Sequence, residues 1–209
     1  ARTFVATSEA MRDFNDFALE LPRNRLLAAL SEPERMLIAE HATRLQLDHR
    51  QVLYAANEPI DHVYFVVNGV VSILSVMTDG SGVETATIGR EGLVGMPAFH
   101  GVSSTPEHTM VQVPGVAYRL GVDTFRNVLP MVPMLEVLLH RFSVVLFTLA
   151  AQNSGCNRKH SIESRCARWL LMAADRLDTS TLELTHDFVA QMLGVRRASV
   201  TESLGHLER

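Results

Sequence analysis

Hydrophobic and polar positions change their period three times along this chain, and each change predicts a different kind of element. Between 24 and 42 the runs RLLAAL (25–30) and ERMLIAEHA (34–42) have helical spacing around Pro33, with Ser31 placed to cap the second piece. Past Leu45 the pattern turns short and β-branched or alternating, in QVLYAA (51–56), HVYFVV (62–67), VVSILSVM (70–77), VETATI (83–88), MVQV (110–113) and VAYRL (116–120). Asn57-Glu58-Pro59, Asn68-Gly69, Asp79-Gly80 and Pro114-Gly115 separate these runs. Asn-Gly and Asp-Gly between such runs signal hairpins, so each run is predicted as a strand of its own. Short strands at this spacing imply a sandwich or jelly-roll barrel ending near Leu120.

From Met131 the period is helical again. Met131, Leu135, Leu138, Phe142, Val145, Leu149 and Gln152 form a heptad seam, and Leu139, Leu146 and Ala150 form a second apolar stripe beside it. Such a helix packs on its own domain and on a partner at once; the alternative is burial in a monomer core. No charge lies between Arg141 and Arg158, so both stripes need cover. The expectation is a homodimer joined through Leu135, Leu138, Phe142, Val145 and Leu149. Asn153-Ser154-Gly155 is predicted to end the helix, and the polar stretch to His160 to act as a hinge. A further helix follows over 161–177, with Ile162, Cys166, Trp169, Leu170 and Ala173 on one face. The predicted divisions are a β-domain with N-terminal helices at 1–130, a dimerisation helix at 131–156 and a C-terminal domain at 157–209.

Residues 185–208, THDFVAQMLGVRRASVTESLGHLE, carry the most specific signal. Thr185 caps a helix whose inner face is Val189, Met192 and Leu193, with Ala190 small enough for a close crossing. Gly194 supplies the positive φ of a short inter-helix turn, and a second helix from about Arg196 buries Val200, Leu204 and Leu207. This is the helix-turn-helix pattern; an ordinary helical hairpin with a solvated arginine pair is the alternative. In a DNA-binding unit, Arg196 and Arg197 are placed to read guanine edges, and Ser199, Thr201 and Ser203 to contact phosphates.

Charge neither supports nor excludes a nucleic-acid partner. The net charge of −4 over 209 residues divides into −5 before residue 157 and +1 after it. Cys156 and Cys166 lack zinc-type spacing, and reduced thiols are the plainer reading than a disulfide. The N-terminus shows no signal-peptide core, and the apolar run 142–151 is too short to span a bilayer, so a soluble cytoplasmic protein without a membrane partner is expected. No HxH pair, HExxH or Ser-His-Asp arrangement is present, which argues against an enzyme and leaves no catalytic or metal-site residue to name.

Strand-rich domain, long helix, hinge, RCARWLLMAADRL (165–177) and helix-turn-helix together resemble the Crp/Fnr superfamily over nearly the whole chain. The resemblance implies an α+β protein: an N-terminal jelly-roll β-barrel like that of cyclic-nucleotide-binding domains, a long dimerisation helix, and a C-terminal helix-turn-helix of winged-helix type. It implies a homodimer on a palindromic double-stranded site, with RNA polymerase as a further partner. Three departures change the expectation. Arg197 matches the first of the family's base readers, but Ala198 replaces the glutamate and Glu202 the second arginine, so the common family operator is not expected. In the cyclic-nucleotide cassette, matched here by 91–113, Met96 stands at the ribose glutamate and Glu107-His108 at the phosphate-binding Arg-Ser pair. A carboxylate there repels an anionic phosphate, so cyclic nucleotide is not the expected effector; Met96, His100, Glu107 and His108 are the candidate pocket, and the cofactor is left open. The sequence stops at Arg209, where the family adds a wing. A ligand-binding signalling module with a vestigial DNA-binding domain is the alternative function.

Overall fold

The computed structural model describes residues 20–78, 82–177, 181–182 and 184–208. After a 3-10 turn at Leu21–Arg23 come helices α1 (Arg25–Ala28) and α2 (Glu32–His41). The buried Asn24 fastens this segment to the β-domain. Its Oδ1 accepts from the Leu26 and Leu27 amides at 3.1 and 3.2 Å, and its Nδ2 donates to the carbonyls of Val66 and Gly92 at 2.9 Å. One amide thus caps a helix start and satisfies two buried carbonyls. Ser31 begins α2 as expected: its amide and hydroxyl both donate to the Glu34 carboxylate, at 3.0 and 2.7 Å.

The strands are β1 (Thr43–Leu47), β2 (Val52–Tyr54), β3 (His62–Val76), β4 (Gly82–Ile88), β5 (Leu93–Val94) and β6 (Glu107–Gly121), with a short helix α3 (Met96–Phe99) before β6. All pairings are antiparallel, in the order β1-β6-β3-β4. Two long strands make the roll. β6 pairs with β2 near its start and β1 near its end, and β3 pairs with β5 and then β4. Each long strand therefore takes different neighbours in its two halves, as a jelly-roll-like architecture requires.

Asn68-Gly69 and Pro114-Gly115 do not end strands, contrary to the sequence-based expectation. The runs 62–67 and 70–77 join into β3, and 110–113 and 116–120 into β6, because the two interruptions face each other across the sheet. The register shifts at Asn68, which pairs with Val116, and again at Val70, which pairs with Val113. Gly69 has φ +97, and a Cβ on Gly115 would stand 2.2 Å from the Asn68 carbonyl oxygen. The residues that look like turns are a bulge in which two backbones touch. Gly115→Ala is accordingly expected to cost about 2–3 kcal/mol in urea unfolding. Gly205→Ala, at a helical position with open space around it, should gain up to about 1 kcal/mol.

After α4 (Val122–Val128), helix α5 runs over Pro133–Lys159, 27 residues. It does not stop at Asn153-Ser154-Gly155. Asn153 instead donates from Nδ2 to the Thr85 carbonyl at 2.9 Å, and the break falls at His160, whose backbone leaves the helical region. Leu135, Leu139 and Phe142 are buried against the roll in one continuous core with Val63, Phe65 and Tyr118. Leu135 and Phe142 thus belong to their own protomer, which corrects their assignment to a dimer seam. Leu138 and Leu149 are half-buried; Val145 remains exposed, with Met134, Val137 and Val144 on the outer side and the exposed Phe147 at the edge next to the roll. The apolar run read as too short for a bilayer sits inside a helix that, by length and composition, is long and apolar enough to cross one.

Candidate DNA-binding surface and sensor cavity

The C-terminal unit consists of α6 (Ile162–Leu177), α7 (His186–Leu193) and α8 (Arg197–Leu207). Thr185 caps α7, its Oγ1 accepting from the Phe188 amide at 3.2 Å. Gly194 takes φ 61, and the Val195 amide closes the turn on the Ala190 carbonyl at 3.0 Å. Val189, Ala190, Met192, Leu193 and Val200 are buried, as the pattern predicts. Ser203 is buried too, because it lies three residues after Val200 on the inner stripe. It is withdrawn from the phosphate-contact set, while Leu207 ends up exposed.

Arg196, at the N-cap of α8, and Arg197, Thr201 and Glu202 within it are exposed, and Ser199 is half-exposed. Arg197 meets Asp187 at 3.4 Å, both side chains about two-thirds exposed. A pair so exposed is weak and leaves the guanidinium free to swing to another acceptor. Thr201 Oγ1 donates to the Arg197 carbonyl at 3.2 Å and lies 2.9 Å from His186 Nδ1.

No local pattern in the chain indicates how this unit sits on the roll. A second core joins Leu74 and Met110 of the roll to Cys166, Trp169, Phe188 and Val189. Within it Trp169 Nε1 donates to Glu84 Oε1 at 2.9 Å. Ser72 Oγ lies 2.7 Å from Glu84 Oε2 and 3.1 Å from Gln112 Oε1. With the Gln112 amide turned so that Nε2 donates to Ser72 Oγ, the hydroxyl's one hydrogen goes to Glu84 Oε2 and the otherwise unpaired Nε2 is satisfied. Burial pushes the Glu84 carboxyl up to about 7, against the opposing pull of Ser72, Trp169 and Arg176. Nearby, Arg176 Nε donates to Glu91 at 2.8 Å and Nη2 to the Thr87 carbonyl at 3.3 Å, a second clamp between α6 and the roll. Cys156 and Cys166 are free and buried, and burial pushes the Cys166 thiol up, away from thiolate chemistry.

A cavity of about 420 Å³ lies between the roll and α5. Of the expected pocket residues, Met96, His100 and Glu107 line it; His108 does not. Alternation along β6 accounts for this, since neighbouring side chains leave a strand on opposite faces. Tyr54, Ile73 and Phe147, which no motif singles out, also line it, together with Leu146 of the second apolar stripe. His100 Nε2 sits 2.8 Å from Ser143 Oγ, whose own hydrogen goes to the Leu139 carbonyl at 2.9 Å. The ring therefore donates, and His100 ties the loop after α3 to α5. Among the described residues no group of three His, Cys, Asp or Glu could hold a metal ion.

Two family models match this chain: a cyclic nucleotide-binding domain over residues 44–130 and a Crp-like helix-turn-helix domain over residues 164–209. No curated protein matches it in sequence. Among solved structures it is similar to the c-di-GMP responsive global regulator CLP of Xanthomonas campestris, at 14% identity and TM-score 0.70, over 85% of this chain and 92% of that one. FixK2 from Bradyrhizobium japonicum follows at 18% identity and TM-score 0.68, over 80% and 84%. The catabolite activator protein of Thermus thermophilus gives 16% and 0.52, over 88% and 86%. At these identities the structural likeness is one of fold. A cyclic-nucleotide-binding-like roll and a Crp-type helix-turn-helix on one chain define a DNA-binding transcription regulator. The chain belongs to the Crp/Fnr superfamily.

Proposed function

We propose that this regulator works as a homodimer on a palindromic operator, under an effector other than a cyclic nucleotide. The observation that carries the DNA reading is α8 itself: its inner side is anchored by the buried Val200, while Arg196 and Arg197 stand exposed at its first turn. A recognition helix meets base edges with that end. In this reading Arg197, with Arg196 beside it, reads guanine, Ser199 and Thr201 contact phosphates, and Glu202 accepts from a cytosine amino group or excludes other bases. The exposed apolar side of α5 meets its copy across the two-fold axis, placing two α8 helices in successive major grooves. A cytoplasmic location and a contact with RNA polymerase belong to the same reading.

Against a cyclic nucleotide stands the lining of the cavity, which contains Glu107 and no Arg or Lys. A cyclic phosphate buried there would lack a counter-charge. A signalling module without DNA binding would explain the roll but leave the exposed arginine pair on an ordered helix-turn-helix without a use.

Selection from a random duplex pool at two salt concentrations tests the proposal. Enrichment of a palindrome with half-sites about one helical turn apart, weakened by salt, is expected. Failure to enrich any sequence, with and without cell extract as a source of effector, would refute it. On the selected duplex Arg197→Ala should lower affinity about tenfold to a hundredfold with the fold unchanged, a loss of about 1–3 kcal/mol. A uniform loss on all sequences would move Arg197 to the phosphate-contacting class.

A further inference from the structure

The cavity between the roll and α5 has a chemistry of its own. Its volume of about 420 Å³ falls in the range of small-molecule sites. Tyr54, Ile73, Ile88, Met96, Leu146 and Phe147 make most of its wall apolar. Its polar groups divide into those already engaged and those left over. Thr85 Oγ1 donates to the Ile73 carbonyl at 3.0 Å, and His100 and Ser143 hold one another. Thr105 lines the cavity too, but its Oγ1 is sealed away from the open space, so it is no contact for a ligand. Glu107 is the one carboxylate of the lining, and no basic side chain other than His100 lines the cavity to balance an anion.

We propose that this cavity takes an uncharged, largely apolar small molecule bearing a hydrogen-bond donor, which it presents to Glu107. The apolar walls supply the affinity through removal of ligand surface from water, and Glu107 sets the orientation. An anion is rejected twice, by desolvation without a partner and by repulsion from Glu107. The inference rests on the reading of this cavity as the effector site.

N-phenyl-1-naphthylamine and its sulfonated analogue 1-anilinonaphthalene-8-sulfonate share a ring system and an N–H, and differ by one negative charge. Fluorescence titration of the full chain is expected to show the uncharged probe binding about tenfold or more tighter than the sulfonate. Glu107→Gln should reduce that preference to about threefold or less. Ala86→Phe, which fills the cavity from the floor of β4, should abolish binding of the uncharged probe. Equal affinity for the two probes, or an unchanged preference in Glu107→Gln, would overturn the ligand class. If Ala86→Phe does not fold, the Glu107→Gln comparison decides alone. Duplex binding by the same preparation separates the two readings. Selective probe binding without any duplex binding overturns the regulator, and duplex binding with a preference for the sulfonate overturns the ligand class.

Discussion

A double variant Val137→Glu, Val144→Glu is expected to sediment as a folded monomer and to bind its palindromic duplex about a hundredfold or more weakly than the unaltered protein. The reason lies in which side of α5 is already occupied. Leu135 is fully buried and Leu139 and Phe142 lie in the same core, so one side of the helix serves the roll. Val144 is 65% exposed, with Val137 one heptad before it and Met134 and Val145 beside them on the same outer surface. An apolar stripe along a helix of 27 residues, about 40 Å long, is the kind of surface that a second protein copy covers. A glutamate at each of two positions sets like charges against one another across a two-fold axis, while costing an exposed site little in the monomer. With one half-site per protein, the gain from joint binding is lost. Leu135→Ala should do the reverse: unfolding stability falls by about 2–5 kcal/mol and the dimer persists in what remains folded. A double variant that stays dimeric in sedimentation would show that the outer side of α5 is not the interface.

The second large effect concerns pH and the seam between α6 and the roll. The Glu84 carboxyl is raised to about 7 from the ordinary 4.5, chiefly by burial. Between these values the folded state binds a proton that the unfolded state has released, so stability falls as pH rises through this window. Below about 4.5 the carboxyl is protonated in both states and this contribution is fully present; above about 7 it is gone. The whole change is roughly 3 kcal/mol, since each pH unit between the two values is worth about 1.4 kcal/mol. Glu84→Gln keeps an oxygen for Trp169 Nε1 and cannot ionise. It should be more stable than the unaltered protein at pH 7.5 and should lose the difference near pH 4.5. Melting curves over this range test the sign, and fluorescence of Trp169, the chain's single tryptophan, reports whether the seam itself loosens. A parallel pH dependence in both proteins would mean that Glu84 is ionised in the fold and that the seam tolerates its charge.

Much of this is legible in the order of residues. Thr185, Ala190, Gly194 and Val200 announce the helix-turn-helix because each acts locally, as a cap, a close crossing, a left-handed turn and a buried anchor. The same period counting places Ser203 on the inner stripe, although its hydroxyl suggests phosphate contact. Turn chemistry misleads at Asn68-Gly69 and Pro114-Gly115, since a bulge shared by two distant strands requires the same residues as two hairpins. Met96, His100 and Glu107 are reached through the family cassette, whereas Tyr54, Leu146 and Phe147 carry no local sign of lining a cavity.

By itself the sequence determined which runs form strand and which form helix, the two apolar sides of α5, the helix-turn-helix and the absence of a basic phosphate clamp between Arg90 and Arg119. These depend on period, turn chemistry and residue identity, which act over a few neighbouring positions. Tertiary structure decided which side of α5 the roll claims, that the helix runs on to Lys159, and that Glu84 lies sealed beneath Trp169, 85 positions away. Burial depends on what distant segments bring to the same place, and a heptad pattern looks the same whether its seam faces the chain's own core or a second copy.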